Sequence, residues 1–248
     1  VVRGVVFDLG STLVTFAGDV AEVRARAHAA LQAELRGEGL ALRPRRFLQR
    51  LARKFDEYDR KRAGDDLEPT ALSVLTAVLR EEKVPPQPAD RLRRALQAMY
   101  EVYELHWQLF PDSIAALEKI RACGLRLALL SNAADEANVR RMLAGHKLES
   151  YFDPVVISAA VGVRKPDARA FQPILSAWGF PPEEIVMVGD QLGADVLGAK
   201  RLGMRAIWLR TEEDAPANRS LLGKVAADAR VRTVGEAAAL VEHWIAEE

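Results

Sequence analysis

Five short, almost uninterrupted apolar runs limit what this chain can fold into. They are Val1 to Phe7, Leu125 to Leu130 (LRLALL), Pro154 to Ser158, Glu184 to Asp190 and Arg205 to Leu209, each closed or followed by a polar residue. A strand that is apolar at every position, instead of at alternate ones, is covered on both faces, which is the signature of a parallel sheet between helix layers. Helical patterns separate the later runs: Asp112 to Cys123 with Gly124 as the stop, one beginning near Asp167, and one from about Gly193 to Leu202. A closing helix is expected over Gly235 to Glu248, while Thr211 to Ala229 shows no readable pattern. The fold class is therefore α/β, a doubly wound, Rossmann-like parallel sheet.

The first run is cut off from the second by about ninety residues of helical periodicity. Val20, Val23, Ala27, Leu31 and Leu35 form one stripe, stopped by Gly37 and Gly39. A basic stretch from Arg43 reads as a second helix ending near Gly64, Pro69 to Lys83 as a third with Leu72, Leu75 and Leu79 inward, and Pro88 to Trp107 as a fourth. The expected organisation is a core domain of residues 1–16 and 110–248 and an α-helical bundle cap of residues 17–109. The cap enters at the carboxyl end of the first strand, where open sheets of this kind bind ligands. Joined to the core by two loops only, it is expected to act as a mobile lid.

Charge narrows the partners. Lys plus Arg and Asp plus Glu are both 35 among 248 residues, so no net field attracts nucleic acid or an anionic membrane. Within the basic stretch Asp56, Glu57 and Asp59 interleave with the cations, and Phe47, Leu51, Phe55 and Tyr58 recur at helical spacing, so it reads as a solvated helix face. The chain has no apolar run of about 18 residues to span a bilayer. One cysteine, Cys123, and four scattered histidines leave no disulfide and no Cys/His zinc site, which points to a reducing, cytoplasmic compartment.

The polar residues behind the strands converge on one sheet edge: Asp8, then Ser131 and Asn132, then Gly189 and Asp190. Two buried carboxylates side by side repel unless a cation compensates them, and oxygen-only ligands point to magnesium. Lys165, before the next helix, adds a fixed positive charge that can reach the same edge. Together these groups make a site for a doubly charged oxyanion.

In this order, FDLGSTL, LLSN, VRKPD and VGDQLGAD resemble the four signature motifs of the haloacid dehalogenase-like hydrolase superfamily, in its phosphatase-like branch with a helical cap after the first strand. The resemblance covers essentially the whole chain. It implies that Asp8 is the nucleophile of an aspartyl-phosphate intermediate formed from a small phosphorylated metabolite. It implies that magnesium is held by Asp8, Asp190 and the Gly10 carbonyl. Ser131 and Lys165 would bind the phosphoryl oxygens with help from loop amides around Leu9, Gly10 and Asn132. Asp195 would order the metal waters or the lysine, and Thr12 would brace the first loop. Taken singly, Asp190 and Asp195 also read as helix caps, Ser131 as a turn residue and Lys165 as a surface charge.

Gly10 departs from the pattern. Phosphatases of this superfamily normally carry a second Asp there, which protonates the leaving oxygen and then deprotonates the attacking water; losing such a group typically costs about 10²- to 10⁴-fold. Two alternatives follow: a protein that binds a phosphorylated ligand and turns over little, and a metal-free 2-haloacid dehalogenase, which the retained Asp190 disfavours. In the cap, Met99, Tyr100 and Tyr103 are expected to be core; His106 and Trp107, at helical spacing with Tyr103, read as packing with a place in a substrate pocket as the alternative, and the sequence does not select which of Phe47, Tyr58, His106 or Trp107 faces the site. The oligomeric state is left open.

Overall fold

A computed structural model describes residues 1–61 and 66–247. The expected helix end near Gly64 lies outside these residues; the described part of that helix ends at Lys61. Six strands form one parallel sheet: β1 (Gly4–Phe7), β4 (Arg126–Ser131), β5 (Val155–Ile157), β6 (Ile185–Gly189), β7 (Arg205–Leu209) and β8 (Ala229–Val231), in the order β5-β4-β1-β6-β7-β8. The first strand in sequence thus lies near the middle, paired with β4 and β6. The strand β8 was not expected from the sequence; it is three residues long and begins where the unreadable stretch ends.

The uninterrupted apolar runs are explained by the two layers. Val5, Phe7, Leu127, Leu129, Val186 and Val188 face one core with α5 (Ser113–Ala122), α6 (Glu136–Gly145) and α11 (Val234–Ala246). Val6, Ala128, Leu130, Ile185 and Met187, the residues between, face a second core with α8 (Ala168–Trp178) and α9 (Leu197–Arg201). Asp135, Asp167 and Thr233 accept first-turn amides and fix the starts of α6, α8 and α11. No helix among the described residues is long and apolar enough to cross a membrane.

The inserted segment has its own core. Helices α1 (Val20–Gly37), α2 (Pro44–Lys61), α3 (Ala71–Glu81) and α4 (Ala89–Glu104) bury Ala27, Leu31, Leu35, Phe47, Leu51, Leu75, Val78, Leu96 and Met99 against each other. Phe47 therefore belongs to this core and to no cleft. The fourth helix stops at Glu104, short of Trp107. Trp107–Leu109 is instead a strand, β3, antiparallel to β2 (Val14–Phe16), so one two-stranded ribbon carries the chain into and out of the insertion.

A third connection exists besides these two strands. Leu67 bridges Val163, the Glu68 amide donates to Gly162 O (3.0 Å), Arg164 N donates to Asp66 O (2.9 Å), and Ala71 N donates to Ala134 O (2.8 Å). The buried Glu68 carboxylate accepts from the Tyr58 hydroxyl on one oxygen and from Ser158 Oγ (2.7 Å) on the other, with Arg164 at 4.0 Å. The expectation of a cap held by two loops only is corrected: a buried polar contact ties its middle to the segment leading into Lys165.

Candidate active site

Strand geometry delivers the charged residues to one place. Asp8 follows β1, Ser131 ends β4 and Asp190 follows β6, and these three parallel neighbours end at the same edge. Lys165 arrives from the loop before α8 and is 2% exposed. An ammonium this buried must be paired, and its Nζ lies 2.6 Å from Asp8 Oδ1, from Asp195 Oδ1 and from the carbonyl of Leu130. Burial works against its charge, but Asp195 and Asp8 outweigh it and hold its pKa above the ordinary lysine value.

Asn132 does something the sequence did not suggest. Its side chain accepts from Lys165 N (2.9 Å) and donates to Lys165 O (3.0 Å), clamping the lysine backbone. The Ser131 hydroxyl, by contrast, has no hydrogen-bond partner among the described residues and lines the cleft above Asp8.

Asp195 sits in a wide π-helical turn, Leu192–Val196, and its Oδ2 accepts from Gln191 N (2.9 Å). The residue is 1% exposed, and Gly189 is what lets it approach: a Cβ on Gly189 would collide with the Asp195 carboxyl. Asp190 is neither a helix cap nor part of the cleft lining. Thr12, fully buried, donates to Asp190 Oδ1 (3.4 Å), so the brace expected at Thr12 acts on this carboxylate. Trp208 Nε1 (2.8 Å) and Asn218 Nδ2 (2.9 Å) hold the Asp190 carbonyl.

Carboxylate oxygens of Asp8, Asp190 and Asp195 lie within 4.8 Å of one another. One ammonium faces three carboxyls. Burial first, then Asp8 and Asp195, push the Asp190 carboxyl well above the usual carboxylate range. Burial is also the largest influence on Asp195; Lys165 opposes it and Asp8 adds to it, leaving the carboxyl at about 6. Such a cluster is short of positive charge, and its all-oxygen donors suit a hard divalent cation.

The cleft over this cluster has a volume of about 220 Å³ and is lined by Asp8, Leu9, Gly10, Ser11, Ser131, Asn132, Lys165 and Asp195. Trp107, Asn138, Met142 and Gln191 also line it. Trp107, expected to be packing, faces the loop after β1: a Cβ on Gly10 would lie 3.5 Å from its ring. Tyr100 and Tyr103, expected to be core, line a second cleft of about 250 Å³ between the inserted helices and the sheet domain. Met99 lines it too but is packed in the helical core as expected. His106 bonds Ala17 O through Nδ1 (2.7 Å) and lines neither cleft, as a packing residue should.

Sequence reasoning missed the segment after β7 altogether. The Thr211 hydroxyl donates to Ser11 O, Ser11 Oγ donates to Glu212 Oε1 (3.2 Å), and the buried Asn218 joins Asp190 O, Glu212 O and Leu192 N. These bonds splint the loop after β1 to the Asp190 loop. Asn218 was invisible because it lies in a four-residue helix, Pro216–Arg219, too short to show a periodic signal; Asn138, on the first turn of α6, was equally silent.

A family model described as "haloacid dehalogenase-like hydrolase" matches residues 2–203. A stretch of 120 residues is 40% identical to the phosphoserine phosphatase of Thermus thermophilus, covering 48% of this chain and 47% of that protein. The chain spans about half the length of the first curated relatives it matches. Among solved structures, a HAD phosphatase from Thermococcus onnurineus aligns over 96% of this chain and 97% of its own at TM-score 0.60 and 25% identity. A 2-haloacid dehalogenase from Pseudomonas syringae pv. Tomato aligns over 98% and 100% at TM-score 0.65 and 24% identity, a likeness of fold. With the four motifs gathered at one sheet edge and the family model running through all of them, the chain belongs to the haloacid dehalogenase-like hydrolases.

Proposed function

We propose that this chain is a magnesium-dependent phosphatase of small phosphorylated metabolites, working through an aspartyl-phosphate on Asp8. The observation that carries this reading is the Lys165 ammonium held 2.6 Å from both Asp8 and Asp195 at the floor of the cleft, inside a triad of carboxylates. That arrangement fixes a carboxylate nucleophile beside a permanent cation. The phosphatase named among its relatives supports the same chemistry.

Asp8 would attack phosphorus in line with the ester oxygen, forming an acyl phosphate as the P–O bond to the leaving group breaks. Lys165 and the Ser131 hydroxyl, with amides of the Leu9–Ser11 loop and of Asn132, would bind the transferring oxygens and stabilise the charge they gain. Magnesium, held by Asp8, Asp190 and the Gly10 carbonyl with Asp195 behind them, would add neutralising charge and Lewis-acid polarisation of the phosphoryl group. Water would then hydrolyse the acyl phosphate and regenerate Asp8. Gly10 offers no carboxyl group, so the leaving oxygen departs as an anion or takes its proton from water. The helical insertion, residues 17–109, would act as the cap that excludes bulk water.

The test is a screen of phosphorylated metabolites with added magnesium, with 2-haloacids as the control class. Phosphate release supports the reading. Halide release without metal would replace it with dehalogenation, and release of neither would leave a ligand-binding protein.

A further inference from the structure

We propose, on the strength of the phosphatase reading, that the second cleft seats the leaving group and that this group is an aromatic ring, so that the preferred substrates are aryl phosphate monoesters. The two clefts adjoin: Trp107, Ala133 and Asn138 line both. The leaving group of a phosphoryl ester held over Asp8 would have the second cleft beside it. The walls there are Phe55, Tyr58, Met99, Tyr100, Tyr103 and the other side of Trp107. The cleft's volume of about 250 Å³ leaves room for a benzene ring, which fits an apolar cavity of about 150 Å³, although Arg24, His28, Asp59 and Asp135 also line it.

Its walls are packed ring against ring. Tyr100 and Tyr103 have centroids 6.3 Å apart, and Phe16 meets Trp107 edge-on at 5.2 Å. Such walls offer faces and edges to a further ring at little entropic cost. Charge points the same way. Arg24 is paired with Asp56 at 2.8 Å, His28 is stacked on Phe55 and driven neutral by burial, and Asp135 adds negative charge. A second anionic group on the leaving side is disfavoured by that lining, and a neutral ring is not. At the neck the Asn138 amide oxygen is buried without a hydrogen-bond partner among the described residues, an acceptor suited to a donor on the bound molecule.

The chemistry at Gly10 supports this independently of the pocket. An alkoxide is a poor leaving group without a proton donor, whereas a phenolate is stable enough to leave with the bonding electron pair and be protonated by water afterwards. As the P–O bond to the ring oxygen breaks, the bond from phosphorus to Asp8 forms, and no oxidant or further reactant is needed.

The test is calorimetric titration with two phosphonates that cannot be hydrolysed, phenylphosphonate and methylphosphonate, with magnesium present. The wild-type protein should bind the phenyl compound at least about 10-fold more tightly, given the apolar area a ring buries. Phe55→Leu and Tyr103→Leu, which keep apolar volume but remove a ring, should each lower that ratio by about threefold or more. Equal affinities in the wild type, binding of neither compound, or ratios untouched by both substitutions would overturn the proposal. Failure of the phosphatase reading looks different: no phosphate is released from phenyl phosphate, while the phosphonate ratio persists.

Discussion

The floor and the wall of this site are built on opposite principles. The floor is a buried cluster of charges, with Asp8, Lys165, Asp190 and Asp195 each 7% exposed or less, positioned by strand ends and cross-braced by Thr12, Asn132 and Asn218. The wall is a largely aromatic surface on helices, where Arg24 is already paired with Asp56. A substitution in the floor should alter chemistry on every substrate alike, and one in the wall should alter which substrate is chosen. On the phosphatase reading, reaction and recognition would need different things: preorganised charge where a phosphoryl group gains it, and shape where it does not.

The largest expected effect is at the floor. Asp8→Asn removes the proposed nucleophile, and steady-state assays should show turnover falling roughly 10⁴-fold or more on aryl and alkyl phosphates equally. The variant should fold, since it relieves crowding among three carboxylates. A loss confined to one substrate class would break the comparison. Chelation should do the same to the wild-type protein: excess chelator is expected to abolish phosphate release from every substrate, and magnesium should restore it.

How much of this was legible in the sequence follows the same division. The floor could be read because a strand apolar on both faces leaves the residue after it at the ligand-binding edge, and Asp8, Ser131 and Asp190 each follow or end such a strand. The sheet was likewise legible from its runs, apart from β8, whose three residues are too short to show a pattern. The wall was not. A helical period says which side of α4 is buried but not what else it meets: Tyr100 and Tyr103 pack against the helical core as expected and also line the second cleft, while Trp107 was placed at the end of a helix that in fact stops at Glu104. The tie through Glu68 was hidden for a related reason: a single Glu in a loop has no sequence signature, though its burial makes it a fixed point between cap and core.

Gly10 lies where floor and wall meet. It does not adopt a left-handed conformation, and a Cβ at this position would meet the Trp107 ring at ordinary contact distance, so an aspartate can start there but its carboxyl must share space with the indole. Gly10→Asp should raise kcat on alkyl phosphates by about 10- to 10²-fold and change aryl phosphates little. Equal gains on both would mean that proton donation is not what the natural protein lacks.

Smaller effects are expected at the seam and inside the cap. Glu68→Ala strips the Tyr58 and Ser158 hydroxyls of a buried acceptor and should lower unfolding stability by about 1–3 kcal/mol in denaturant titrations. An unchanged midpoint would return the cap to two connections. His28 tests the cap alone. Burial first, then Arg24, lower its pKa from 6.5 to about 4 in the folded protein. Between those values the unfolded chain binds a proton that the folded chain does not, so the contribution is complete above pH 6.5 and is lost as pH falls toward 4. The thermal midpoint of the wild type should therefore drop more steeply over that window than that of His28→Gln, and parallel curves would show that His28 is not held neutral.

The central claim, that Asp8 becomes phosphorylated without a proton donor at Gly10, is tested most directly by rapid quenching during turnover of radiolabelled phenyl phosphate, followed by peptide mapping. The account predicts a hydroxylamine-sensitive label on the Asp8 peptide that forms before phosphate is released, at a rate rising steeply with the acidity of the leaving phenol. Phosphate release with no label on that peptide, or label formation indifferent to leaving-group acidity while the chemical step limits the rate, would contradict it.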